Sequence, residues 1–109
     1  MQQPRLFVYG TLRRGSPNRF AKLLEASSRF IGTARMRGQL HQFSNYAGAV
    51  LSDQPGEFVQ GELFELQDPS ILVVLDEYEG SEFQRVLAAV SLDDGQELKT
   101  WVYTLYGKA

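Results

Sequence analysis

One carboxylate of this 109-residue chain is predicted to point toward the protein core. Residues 69–79 have a helical pattern, and on a wheel of about 100° per residue Glu79 falls inside the apolar arc, between Leu75 and Leu72. A carboxylate aimed at a core is costly unless it is paired or functional. Desolvation and the negative end of the helix dipole both raise its pKa. Glu79 is therefore a candidate for taking and returning a proton near neutral pH.

Other interpretations of this helix end stay open. Glu79 could reach water where the helix frays, or it could pair with Arg85, a cation that would lower its pKa. Asp76 lies at the edge of the apolar arc, and Glu77 lies on the side away from it. An error of one or two residues in the helix boundary would make either of these the buried acid instead.

A loop near the start of the chain is a candidate ligand site. The apolar run 6–9 ends at Gly10, and a polar loop with a second glycine extends to Asn18, which is predicted to cap a helix that ends near Ala26. Such a loop directs main-chain N–H groups into one concavity that suits an anion or a polarised carbonyl oxygen. It is neither a Walker A loop nor a dinucleotide fingerprint. Tyr9 and Tyr103 are either hydrogen-bond donors to a ligand or core aromatics.

Composition excludes several kinds of chemistry. The chain has no cysteine, which removes disulfides, thiolate nucleophiles and cysteine-based zinc sites. Its one histidine, His41, leaves any metal site to carboxylates whose spacing matches no metal motif, and no G-x-S-x-G elbow is present. We therefore expect no metal and no organic cofactor.

Charge and hydropathy limit the partners. The net charge of −2 argues against nucleic acid as the main partner. No apolar stretch approaches the ~18–20 residues of a membrane span, and the first residues lack the apolar region of a signal peptide. A cytoplasmic protein is expected. Arg13, Arg14 and Arg19 form a local basic patch that is either solvated or steers an acidic substrate.

The order of predicted elements gives the fold class. Helices are expected at 18–26 and at 69–79, the second with Asp68 as N-cap, Pro69 as first helical residue and Gly80 as its stop. Strands are expected at 5–9, 46–50, 58–66, 83–92 and 98–106, with one or two bent strands in 29–41. This order predicts a single α+β domain over residues 1–109, with a mixed, twisted, barrel-like sheet and two flanking helices.

Two segments resemble signatures of the γ-glutamylcyclotransferase-like proteins, which include the γ-glutamylamine cyclotransferases and the AIG2-like proteins. Residues 9–15, Tyr-Gly-Thr-Leu-Arg-Arg-Gly, resemble Y-G-[ST]-L-x-x-G, and residues 75–80, Leu-Asp-Glu-Tyr-Glu-Gly, resemble L-D-x-x-E-G. Residues 61–64, 83–85 and 101–103 resemble three shorter blocks of the family, although Phe83 stands where the family has a tyrosine. The blocks occur in the expected order and cover nearly the whole chain.

The resemblance implies a small mixed β-barrel with flanking helices and a cofactor-independent reaction on a small γ-glutamyl substrate. The α-amine of the γ-glutamyl group would attack its own γ-carbonyl and release 5-oxoproline and an amine. Glu79 would be the acid/base, and the substrate-binding residues would be Tyr9, Gly10, Thr11, Leu12, Arg85 and Tyr103. Two alternatives are a non-catalytic module that binds a small molecule in the same pocket and an interaction protein with a vestigial pocket.

Overall fold

The computed structural model describes residues 4–10, 12–43 and 46–106. Over these residues the chain forms six strands and two helices. In chain order they are β1 (Arg5–Val8), α1 (Arg19–Ser27), β2 (Ser28–Gln42), β3 (Ala47–Leu51), β4 (Phe58–Leu66), α2 (Ile71–Glu79), β5 (Phe83–Leu92) and β6 (Glu97–Leu105).

Five of the strands close into a barrel. The ring runs β1–β4–β2–β5–β6 and closes where β6 pairs in parallel with β1, while the other four pairings are antiparallel. Strand β3 is the extra strand, antiparallel to the end of β2 and parallel to β6. The predicted mixed, barrel-like sheet with two helices is confirmed.

Two apolar clusters hold the barrel and the helices together. The inner cluster contains only strand residues, among them Phe7, Met36 and Val102, and therefore fills the barrel. The outer cluster joins Leu6 and Val8 of β1 to both helices. Strand β1 is thus buried on both faces, as its non-alternating sequence predicts.

The predicted bent strands in 29–41 form one strand. Strand β2 runs for 15 residues, and its register against β4 shifts between Phe30 and Gly32, as expected for a bulge. Its first part pairs with β4 and its last part with β3, so this one strand ties two regions of the sheet together.

The two helix starts differ in how well they are predicted. Asn18 caps α1 as expected, because its Oδ1 accepts from the N–H groups of Phe20 and Ala21 at 2.8 and 3.3 Å. The predicted start of α2 is wrong, since the helix begins at Ile71. Asp68 Oδ1 instead accepts from the N–H and the hydroxyl of Ser70 at 3.1 and 2.7 Å, which closes a turn before the helix.

Gly61 on β4 permits close contact with β1. A Cβ atom at this position would lie 2.3 Å from the Val8 carbonyl oxygen and 2.7 Å from Phe7 Cζ. Both obstacles belong to the strand that leads into the candidate ligand loop, and one of them is backbone. The approach of β4 to β1 therefore requires glycine at this position.

We expect Gly61→Ala to lower the free energy of unfolding by about 1–3 kcal/mol, because the added methyl group overpacks this contact. Urea denaturation monitored by the fluorescence of Trp101 measures the change. Gly32→Ala is the matched control, since its Cβ would meet only Leu92 Cδ2 at 3.6 Å. Equal stabilities of the two variants would contradict this explanation.

Candidate functional site

A cleft of about 1270 Å³ opens at the carboxyl end of β1. Its wall includes Tyr9, Gly10 and Leu12 from the first strand and loop, Glu79 from the end of α2, and Tyr103 from β6. Thr11, the other predicted residue of the loop, lies outside the described residues. The fold therefore brings the early loop and the candidate acid to one cleft, although they are far apart in the sequence.

Glu79 is the last residue of α2, and its side chain is largely withdrawn from water. Burial raises the pKa of Glu79 from 4.5 to about 7. Within the described part of the chain, no hydrogen bond or ion pair holds its carboxyl group. This position excludes two of the alternatives for Glu79, namely pairing with Arg85 and full solvation.

Asp76, one helical turn earlier, has a different environment. Its Oδ1 accepts from Arg85 Nε at 2.9 Å and from the Tyr103 hydroxyl at 2.7 Å, and its Oδ2 accepts from Arg85 Nη2 at 3.2 Å. Burial acts to raise the pKa of Asp76, but the two hydrogen-bonding partners and the charge of Arg85 hold it below its ordinary value. Glu77 is exposed. Burial thus raises the pKa of Glu79 to about 7, whereas the pKa of Asp76 on the same helix is lowered.

Arg85 lies away from the predicted substrate position. It is not among the residues that line the cleft, and its guanidinium lies over the Trp101 ring, 4.4 Å from the ring centre, while it binds Asp76. Direct contact between Arg85 and a substrate is therefore not supported by its position. The sequence analysis offered Glu79 as a partner for Arg85, and the structure places Asp76, one helical turn earlier, in that role.

The Tyr9 hydroxyl joins three strands at the cleft wall. It donates to the Tyr103 carbonyl oxygen at 2.5 Å and accepts from the Ala49 N–H at 2.9 Å. Burial raises the pKa of Tyr9 to about 12, with a further contribution from the charge of Glu79, while the hydrogen bond from Ala49 acts in the opposite direction. Because the Tyr9 hydroxyl already donates its proton to Tyr103, Tyr9 stabilises the wall of the cleft.

Tyr103 contributes to the same wall through both of its polar groups. Its carbonyl oxygen accepts from Tyr9, and its hydroxyl donates to Asp76. Burial raises the pKa of Tyr103, and the hydrogen bond to Asp76 adds to this effect. The Tyr103 hydroxyl, which the sequence analysis considered as a donor to a ligand, therefore donates to Asp76 on α2.

The loop after β1 is a series of turns anchored on β4. The Gly10 carbonyl oxygen accepts from the N–H of Arg13 at 3.2 Å, and the Arg14 N–H donates to Glu62 Oε1 at 2.7 Å. Leu12 is buried in the outer apolar cluster, and this packing holds the loop against the body of the protein. The N–H groups of Gly10 and Leu12 donate to no other described residue, and both residues line the cleft.

The far rim of the cleft contains a contact that the sequence did not predict. The Tyr46 hydroxyl donates to Glu82, and the Tyr46 ring stacks on Phe43 with centroids 4.7 Å apart. This contact joins the segment before β3 to the turn after α2. No local pattern marks such a pair, because 36 positions separate the two residues.

Two further observations concern metals and membranes. No group of three or more His, Asp or Glu side chains within residues 4–10, 12–43 and 46–106 is arranged to hold a metal ion. Neither described helix has the length and apolar character needed to cross a membrane.

Known structures share the fold of this chain. The YkqA protein of Bacillus subtilis has a TM-score of 0.77 and 29% identity, over 97% of this chain and 36% of YkqA, so the chain spans about a third of that protein. An aig2-like protein from Mus musculus has a TM-score of 0.77 and 28% identity, over 100% of this chain and 81% of the mouse chain.

A relative with a similar sequence and a family model identify the family of this chain. The Drosophila melanogaster protein named "Putative gamma-glutamylcyclotransferase CG2811" is 28% identical in an alignment that covers 93% of this chain and 69% of the relative. The family model described as gamma-glutamyl cyclotransferase, AIG2-like, matches residues 6–109. Because this match includes both the early loop and the helix that carries Glu79, the chain belongs to the gamma-glutamyl cyclotransferase, AIG2-like family.

Proposed function

We propose that this protein converts a γ-glutamyl amine or amide into 5-oxoproline and a free amine, with Glu79 as general acid and base. Membership of the family supports γ-glutamylcyclotransferase activity in general. The observation that carries the specific proposal is the position of Glu79, because a half-buried carboxyl with a pKa of about 7 lines the same cleft as the Gly10 loop.

The proposed reaction is an intramolecular aminolysis. The α-amine nitrogen attacks the γ-carbonyl carbon and forms a C–N bond that closes a five-membered lactam. The C–N bond to the leaving amine then breaks. The proton lost by the attacking nitrogen balances the proton gained by the leaving nitrogen, so the reaction needs neither water nor an oxidant.

Glu79 would transfer that proton. A carboxyl group with a pKa of about 7 is present in both protonation states near neutral pH, so it can accept a proton from the attacking amine and return it to the leaving group. A carboxyl with an ordinary pKa would be a weaker base and would seldom be available as the acid.

The early loop would bind the polar groups of the substrate. The free N–H groups of Gly10 and Leu12 would stabilise the developing oxyanion or fix the substrate carboxylate. Arg13 lines the same cleft and would favour approach of an acidic substrate, whereas the charge of Arg14 is offset by Glu62 at 3.6 Å. A bent substrate held between loop and acid would gain from proximity.

Two further features belong to the proposal. The absence of cysteine and the net charge of −2 support a cytoplasmic protein that does not act on nucleic acid. The cleft residues named above supply hydrogen bonds and a proton carrier, so the proposed reaction uses no metal or organic cofactor.

Glu79→Gln should reduce release of 5-oxoproline by about 10²–10⁴-fold, because the amide cannot accept the proton. The assay uses a panel of γ-glutamyl amides of amino acids, ε-lysyl amines and polyamines, with 5-oxoproline detected by chromatography. Glu77→Gln is the matched control on the same helix and should keep the wild-type rate, since Glu77 is exposed.

Near-wild-type turnover by Glu79→Gln would rule out the assignment of Glu79. Calorimetric titration with 5-oxoproline checks that this variant still binds ligand. A wild-type protein that binds members of the panel and releases no 5-oxoproline would support the non-catalytic binding module instead.

The pH dependence of kcat/KM should show an acidic limb with an apparent pKa of about 7, the pKa of Glu79. Only the ionised carboxylate accepts a proton, so activity falls about tenfold for each pH unit below that limb. Rates measured from pH 5 to pH 9 give the profile. A limb near the ordinary glutamate pKa, or a flat profile between pH 5 and pH 8, would contradict the proposed role.

A further inference from the structure

Arg85, a cation that contacts α2, pairs with Asp76 and not with Glu79. Arg85 contacts Asp76 through two hydrogen bonds, at 2.9 and 3.2 Å, and its guanidinium lies over Trp101. The Tyr103 hydroxyl adds a third hydrogen bond to the same carboxylate at 2.7 Å. Asp76 and Glu79 are three positions apart on one helix, where side chains are neighbours.

The charges of Arg85 and Glu79 are both close enough to Tyr103 to act on its hydroxyl group. The positive charge of Arg85 and the negative charge of Glu79 each affect the pKa of Tyr103. Arg85 makes no contact with Glu79, and burial alone accounts for the raised pKa of that carboxyl. The ion pair therefore offsets the positive charge of Arg85 beside α2, a charge that by itself would favour the ionised form of Glu79.

We propose that Asp76 is a positioning residue that binds Arg85 on the side of α2 away from the cleft and thereby keeps a compensating positive charge off Glu79. The proposal explains why the helix carries two acids one turn apart. Asp76 binds Arg85, and Glu79 has no counter-ion among the described residues. It rests on the proposed function, because it concerns the residue to which proton transfer is assigned.

Other charged and titratable groups line the cleft within the described residues, and Asp76 binds none of the cations among them. The groups that share the cleft wall with Glu79 are Tyr9 after β1, Arg13 and Arg14 in the loop, Tyr46 before β3, Glu62 on β4, Tyr78 on α2, Glu82 after α2 and Tyr103 on β6. Arg14 is paired with Glu62, and Arg13 Nε donates to the Gly10 carbonyl oxygen at 3.3 Å. The hydroxyl of Tyr9 is engaged with Tyr103. Among the described cations, Arg85 is the one that Asp76 binds.

Charge removal at the two positions has opposite expected effects. Asp76→Asn removes a neighbouring negative charge and leaves Arg85 uncompensated, so the pKa of Glu79 should fall by about 0.5–1 unit. Arg85→Gln leaves Asp76 uncompensated, so the pKa of Glu79 should rise. The double variant removes both charges and should return the pKa close to the wild-type value.

The test is a ¹³C NMR titration of the Glu79 carboxyl group in protein labelled at glutamate, with the signal assigned by its absence from Glu79→Gln. The titration needs no turnover, so it can fail while the proposed function holds, and the reverse is also possible. If the Asp76–Arg85 pair only held α2 against the sheet, all three variants would change the stability of the protein. The pKa of Glu79 would then not fall in one single variant, rise in the other and return in the double variant.

Two results would overturn the proposal. The first is an unchanged pKa of Glu79 in Asp76→Asn. The second is a lowered pKa that persists in the double variant, because Arg85 would then not be its cause. If Asp76→Asn does not fold, Arg85→Gln decides the question alone, and an unchanged pKa there rejects the proposal.

Discussion

The proposed chemistry depends on a half-buried carboxyl group that has no counter-ion among the described residues. Placing an ionised glutamate in such a position is expensive, and the cost is lowered when the group takes up a proton, which is the meaning of a pKa of about 7 for Glu79. A surface glutamate would have no reason to titrate near neutral pH. The chemistry proposed for the cleft follows from this local arrangement.

The fold maintains this arrangement from two sides. The outer apolar cluster packs α2 against β1, so the last turn of the helix stays beside the strand that leads into the Gly10 loop. The parallel pairing of β1 with β6 places Tyr9 next to Tyr103, and the hydrogen bond between them closes the wall. Gly80, with a φ of 79°, ends the helix directly after Glu79, in a backbone conformation that glycine adopts readily.

Local patterns predicted the parts that depend on local physics. The wheel placed Glu79 in the apolar arc, and the strands 58–66 and 83–92 have the predicted bounds. The start of α2 was missed because Asp68 can either cap a helix or close a turn onto Ser70, and the sequence does not decide between two hydrogen-bonding partners so close together. The glycines of β2 indicated breaks, yet pairing with β4 and β3 keeps that strand continuous.

Contacts between distant segments are the part that the sequence could not supply. Arg85 had two acids within reach on one helix, and its stacking on Trp101 depends on how β5 pairs with β6. The hydrogen bonds of the Tyr9 hydroxyl join residues 94 and 40 positions away. Such contacts depend on the closed barrel, and neither a local pattern nor the family resemblance predicted them.

The most direct test of the account is a crystal structure of the protein with 5-oxoproline. The account predicts that the molecule binds between the early loop and the end of α2. One of its oxygen atoms should lie within about 3 Å of the Gly10 or Leu12 N–H, with the Glu79 carboxyl group at hydrogen-bond distance from its ring nitrogen. A ligand bound outside this cleft, or a Glu79 carboxyl group turned into open solvent beside a bound ligand, would contradict it.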